Sequence, residues 1–186
     1  AYVNRYGVLP GRETVLFTAG DDGWATARDL AAAGGKVAAI VDTRGNADPV
    51  RKSLAEKLGA RLFAGGVVED ARGSRKLRGV TIRDASGATT TLACDLLAVS
   101  NGWNPTLHLT SHQNGKPAWD EAQQCFVPGA LPTGLAVAGS AAGRFTLAQA
   151  LDDGARLGRE AAAEAGMTPA GVEPIPATDP ETTGLQ

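Results

Sequence analysis

The chain has 186 residues, 43% of them hydrophobic and 20% charged, with 24 glycines, 10 prolines and a net charge of −2. That apolar content excludes disorder throughout and is enough for one full core or two small units, while the near-neutral charge lacks the basic footprint of nucleic-acid binding. Aromatics make up only 5%, so Ala, Val and Leu must build the core, a composition suited to Ala-rich helices laid on a Val/Leu sheet.

Residues 1–13, with Gly7, Pro10 and Gly11 and no hydrophobic period, read as a leading linker. A strand is expected over 14–18, followed by the turn Ala19-Gly20-Asp21-Asp22-Gly23 and a helix over 24–33 that stops at Gly34-Gly35. The apolar run 36–42 predicts a second strand buried on both faces. A helix near 48–58 and a third strand near 61–63 follow. The order β-α-β-α-β predicts a parallel, Rossmann-type sheet. Alternating segments at 77–83 and 88–92 flank Asp84-Ala85-Ser86-Gly87 and predict an antiparallel hairpin. Another apolar strand is expected over 94–100. Residues 106–134 read as irregular, 135–139 as a last strand, and 146 to about 165 as a helix capped by Thr146. The tail from residue 166, rich in Pro and Thr, reads as flexible or as a linker. The fold class is therefore α/β. It comprises a Rossmann-like parallel sheet with an antiparallel hairpin insertion, then the returning strand and helix of an adjacent dinucleotide-binding fold.

A dinucleotide fingerprint needs G-x-G-x-x-G after the first strand. Here the three positions are Thr18, Gly20 and Gly23, so the first glycine is missing. Asp21 and Asp22 put carboxylates at the helix N-terminus, where they satisfy the helix dipole and would repel a bound anion. Asp42 stands where a ribose-binding acid belongs, and Arg44 could instead face a phosphate. Two readings stay open: a working NAD(P) site, or a scaffold that has lost its ligand.

The second candidate is GLAVAGSAAGRFTLA at 134–148. Its small-residue loop between strand and helix lets a ligand approach the backbone, with free N–H groups at the helix start; the alternative is an ordinary β-α turn. His108 and His112 have the i, i+4 spacing of a metal pair but no helical period, no HExxH glutamate and no third ligand, so no metal is expected. No G-x-S-x-G elbow is present, which argues against a Ser/His/acid hydrolase. Cys94 and Cys125 form no CxxC pair and read as inert, and a reducing cytoplasm is the expected compartment. No apolar run approaches the roughly 18 residues of a membrane span, and no membrane contact is expected. The opening AYVNRYGVLPG, without an initiator Met, reads as the interior of a longer polypeptide.

Taken in order, DLLAVSNGWNP and LAVAGSAAG…LAQALDDG resemble flavoprotein disulfide-reductase-like chains. In these a second nucleotide domain is inserted into a first and the chain then returns. AYVNRYGVLPGR, LAVSNGWNPTLHLTSH and VAGSAAGRFTLAQALDDGARLG resemble more specifically the alpha subunits of heterotetrameric sarcosine oxidases, over about residues 1–165. The resemblance implies a linker at 1–13, an inserted NAD(P)-domain-like unit at 14–103, a return segment at 104–165 and a tail at 166–186. It further implies a tightly bound NAD in the full subunit, FAD, FMN and folate elsewhere in the complex, partner subunits, and oxidation of sarcosine at a flavin. Cofactor contacts carry over to Gly139, Ser140, Ala141, Phe145, Thr146 and Leu147. Ser140 stands where the wider reductase pattern has Asp, and no catalytic residue is assigned. The runner-up expectation is an autonomous NAD(P)-binding module of the reductase type.

Overall fold

The computed structural model describes residues 2–45, 48–168 and 171; most of the expected tail lies outside the described residues. These fall into two compact units, one within Ala1–Gly102 and one within Trp103–Thr183.

The first unit is built on a parallel four-stranded sheet in the order β3-β2-β1-β7, formed by β1 (Glu13–Thr18), β2 (Lys36–Asp42), β3 (Arg61–Ala64) and β7 (Leu96–Ser100). Alternate residues of the strands face opposite sides. Leu16, Val37 and Ile40 pack with Trp24, Ala27 and Leu30 of α2 (Asp21–Ala32) and Ala55 of α3 (Pro49–Lys57). Val15, Ala39 and Val41 pack instead against Val80 and Ile82 of a second sheet. That sheet is antiparallel, ordered β4-β5-β6, with β4 at Val67–Gly73, β5 at Leu77–Arg83 and β6 at Thr89–Ala93. The parallel sheet is thus covered on both faces, as its continuous apolar runs require.

Local chemistry sets the element ends. Asp48 caps α3 by accepting the Arg51 N–H at 2.8 Å, with Pro49 at the first helical position. α2 begins at Asp21, three residues before the expected start, because Asp21 and Asp22 are favourable in a first turn. Strand β7 begins at Leu96, two residues late. Asp95 ahead of it turns its carboxylate back to the N–H groups of Arg12 and Glu13, at 2.9 and 2.7 Å. Two elements of the first unit escaped the sequence reading. A short helix α1 (Tyr2–Tyr6) lies in the stretch read as a linker, tied by Asn4 Nδ2 to Asp29 Oδ2 at 2.6 Å while Val3 and Leu9 pack on the helical face of the core. Strand β4 is mostly exposed and its sequence VVEDARG is polar, so it carried no apolar period.

In the second unit, residues 106–134 are less irregular than expected. They hold a one-turn helix α4 (His108–His112) and an antiparallel ribbon of β8 (Pro117–Asp120) and β9 (Cys125–Pro128). Asp120 closes the ribbon's turn by accepting the N–H groups of Ala122 and Gln123, at 2.9 and 3.0 Å. No strand forms over 135–139. Ala138 is extended, but a strand exists only through its ladder, and no partner lies beside it among the described residues. A 3₁₀ turn (Gly139–Ala142) and the long helix α5 (Leu147–Glu164) complete the unit.

Candidate functional site

In the first unit, the residues expected to face a nucleotide are occupied with one another. Thr18, fully buried, accepts the Gly20 N–H at 3.1 Å, and its single O–H is shared between the Gly20 and Ser100 carbonyls at 2.8 and 3.0 Å. The N–H that a pyrophosphate would use at Gly20 is therefore taken. Gly23 keeps the packing role of its position: a Cβ there would lie 2.3 Å from Thr18 Oγ1.

Asp42 is 2% exposed. It accepts the Trp24 indole N–H at 2.9 Å, the Arg44 backbone N–H at 3.0 Å, and Arg44 Nε and Nη2 at 2.9 and 2.8 Å. Burial pushes its carboxyl up, but the Arg44 guanidinium, the Trp24 indole and the Arg44 backbone N–H outweigh burial and hold it below the ordinary carboxylate value. With both oxygens engaged, it does not fit the part of a ribose acceptor. Asp21 Oδ1 lies 2.9 Å from both Arg44 Nη1 and Arg51 Nη2, and Arg51 Nη1 also reaches Asp48 at 3.3 Å. The geometry of this turn does not fit a bound dinucleotide.

In the second unit, Gly139, Ser140 and Ala141 form the 3₁₀ turn, and Phe145, Thr146 and Leu147 lead into α5. Two left-handed glycines bracket the turn, Gly139 at φ +62° and Gly143 at φ +81°. The Gly139 carbonyl accepts the Arg144 N–H at 3.0 Å. Thr146 caps α5, its hydroxyl accepting the Gln149 N–H at 3.3 Å. Ser140 and Leu147 are exposed; Gly139, Ala141, Phe145 and Thr146 are half-buried. Gly139, Ser140 and Ala141 are small and uncharged, so no side-chain bulk or charge stands against a ligand at the turn itself.

The sequence reading missed the residue that holds this turn. Asp153 is the only described α5 residue that is buried; its Oδ2 accepts the Gly139 N–H at 3.2 Å and its Oδ1 accepts Arg156 Nη2 at 2.6 Å. The Arg156 bond holds the Asp153 carboxyl below its usual range. The only signal was a second acid in LDDG, with nothing in helical spacing to separate it from solvated Asp152.

His108 and His112 do stand on a helix, contrary to the expected loop. Among the described residues no group of three or more His, Cys, Asp or Glu is placed to hold a metal ion. Cys94 and Cys125 are buried, and burial first, then nearby carboxylates, pushes both thiols up. No helix among the described residues is long and apolar enough to cross a membrane.

No protein-family model matches the chain. Its sequence is similar to sarcosine oxidase subunit alpha of Rhizobium meliloti (strain 1021), 39% identical over 168 residues, covering 90% of this chain and 16% of that protein. The counterpart from Corynebacterium sp. (strain P-1) is 38% identical over 176 residues, covering 90% of this chain and 18% of that protein. The resemblance read from the motifs thus holds across nearly all of the chain, which itself spans less than a fifth of the length of these curated relatives. In fold it is similar to Lactococcus lactis thioredoxin reductase, with a TM-score of 0.67 at 17% identity, covering 87% of this chain and 55% of that one. An HOCl-induced flavoprotein disulfide reductase from Escherichia coli gives 0.63 at 17% identity, covering 85% and 37%.

Proposed function

We propose that this chain is a segment of the alpha subunit of a multi-subunit sarcosine oxidase. In that reading it contributes scaffold and part of a bound-NAD site, and the flavin chemistry that demethylates sarcosine with O2 belongs to other parts of the complex. The inserted unit is residues 14–103 and the return segment is 104–165. Partner subunits, a cytoplasmic setting, and FAD, FMN and folate elsewhere in the assembly follow from the same reading, as does inactivity of the chain by itself.

The observation that carries the NAD contact is the turn at Gly139–Gly143, where residues 139–142 are all small and Ser140 leaves out a carboxylate. NAD, when bound, supplies a charged pyrophosphate that its site must tolerate and a nicotinamide able to take up hydride. The chain's own part is to present an uncharged edge. Asp153 ties down the Gly139 N–H, Thr146 organises the start of α5, and Ser140 sits outward between them. The fold likeness to thioredoxin reductase favours a second reading, an autonomous NAD(P)-binding module. The engaged Asp21, Asp42 and Gly20 in the first unit argue against it.

The test is Ser140→Asp in the purified complex. One added charge near a pyrophosphate should cost about 1.4 kcal/mol or more, roughly a tenfold loss of NAD retention. The melting temperature should not change, because the position is exposed. Equal NAD content at equal stability would remove this turn from the cofactor site, and a wild-type complex without NAD would overturn the reading itself.

A further inference from the structure

The hairpin joining β4 to β5 carries the densest run of positive charge in the sequence. Arg72, Arg75, Lys76 and Arg78 fall within seven residues, and without them the net charge would drop from −2 to −6. Residues 69–76 are exposed without a break, so the tip stands clear of the first unit's core. Its form is fixed. Gly73 sits at φ +145°, and a Cβ there would lie 2.0 Å from the Lys76 carbonyl oxygen. Leu77 packs against the core cluster and anchors the base of the tip. Asp70 lies 3.7 Å from Arg72, whereas Arg75, Lys76 and Arg78 have no ion-pair partner among the described residues.

Charge has an ordinary use on an edge strand, where it keeps a bare strand from pairing with another chain. That accounts for Arg72 on the edge strand β4, but Arg75 and Lys76 lie in the turn and Arg78 on the central strand β5. Exposed cations without counter-ions, held on a fixed tip, suit a partner that brings the counter-ions. Three of the four are arginines, whose planar forks match carboxylates. Residues 69–78 include no aromatic ring to stack on a base or to enter a bilayer. We propose that the β4–β5 tip docks on an acidic protein surface, and that this surface belongs to a partner subunit, a choice that rests on the multi-subunit reading above. Arg75 and Lys76 make the central contacts, with Arg72 and Arg78 beside them.

The test uses the full-length polypeptide that carries this chain, together with its partner subunits. Arg75→Glu with Lys76→Glu should weaken assembly about tenfold, and raising the ionic strength from about 0.05 to about 0.5 M should weaken wild type far more than the variant. Lys52→Glu with Lys57→Glu, the same change of charge at exposed positions of α3, should leave assembly unchanged. A carbodiimide joins an amine directly to a carboxylate and needs no variant to fold; in the wild-type complex it should link Lys76 to an acidic residue of another subunit. Unchanged assembly in the tip variant overturns the proposal, as does equal weakening by the α3 pair. So does a link from Lys76 into its own polypeptide, or wild-type binding to phosphatidylserine vesicles with no link to a subunit. A wild-type polypeptide that assembles with nothing ends the multi-subunit reading and this proposal together, whereas a complex indifferent to the tip ends this proposal alone.

Discussion

Asp42→Ala should lower the stability of the first unit by about 3 kcal/mol, the usual cost of removing one partner from a buried charged pair. The alanine leaves the Trp24 indole N–H without its acceptor in a site of zero exposure and strips three donors of Arg44 of theirs. Asp42→Asn should cost less, since its amide oxygen can still accept from Trp24. The two variants also separate on acidification. The folded Asp42 titrates below its ordinary value, so its ionised form contributes stability that is fully present above the unfolded value of about 3.9 and is lost as pH falls through the lowered folded value. The gap between wild type and Asp42→Asn should therefore hold steady from neutral pH down to about pH 5 and narrow below about pH 4. Urea midpoints across that range measure it. Trp24 is buried while Trp103 and Trp119 are exposed, so loss of blue-shifted emission follows the first unit. A gap that stays constant into acid would show that the charge on Asp42 contributes nothing.

Gly23→Ala should be nearly as damaging, at about 2–3 kcal/mol, by overpacking. The added methyl would fall 2.3 Å from Thr18 Oγ1 and 2.5 Å from Thr18 Cβ. Thr18 is fully buried and bonded to Gly20 and Ser100, so it has no room to move aside. The same substitution at Gly20, where a Cβ meets nothing within 4 Å, should change little by comparison. Shortening the opposing side chain supplies the decisive control. Thr18→Ala combined with Gly23→Ala should be more stable than the sum of the two single changes, read as a positive coupling in a double-mutant cycle. Strict additivity would mean that the two positions do not press on each other.

The sequence by itself determined the parallel sheet and most of its helices. Runs such as KVAAIVD at 36–42, apolar without alternation, belong to a strand covered on both faces, and the structure assigns a strand to that same run. The caps at Asp48 and Thr146 were likewise legible, because a side-chain oxygen one turn ahead of an unpaired N–H acts within four residues. The absence of a glycine at Thr18 and the two acids after Gly20 already spoke against a dinucleotide in the first turn.

What only the tertiary structure decided involves residues far apart in the chain or partners that local pattern cannot name. Position alone makes Asp42 a ribose acceptor, whereas in the fold it is bonded by Trp24, 18 residues earlier. Asp21 meets Arg51 across 30 residues, and Asp153 meets Gly139 across 14. The strand expected at 135–139 failed for the converse reason. Its composition suits a strand, but a ladder needs a neighbour, and none is present among the described residues. Hydrophobic period and capping are written in adjacent residues, whereas pairing of charges and of strand edges is settled only when the fold brings distant segments together.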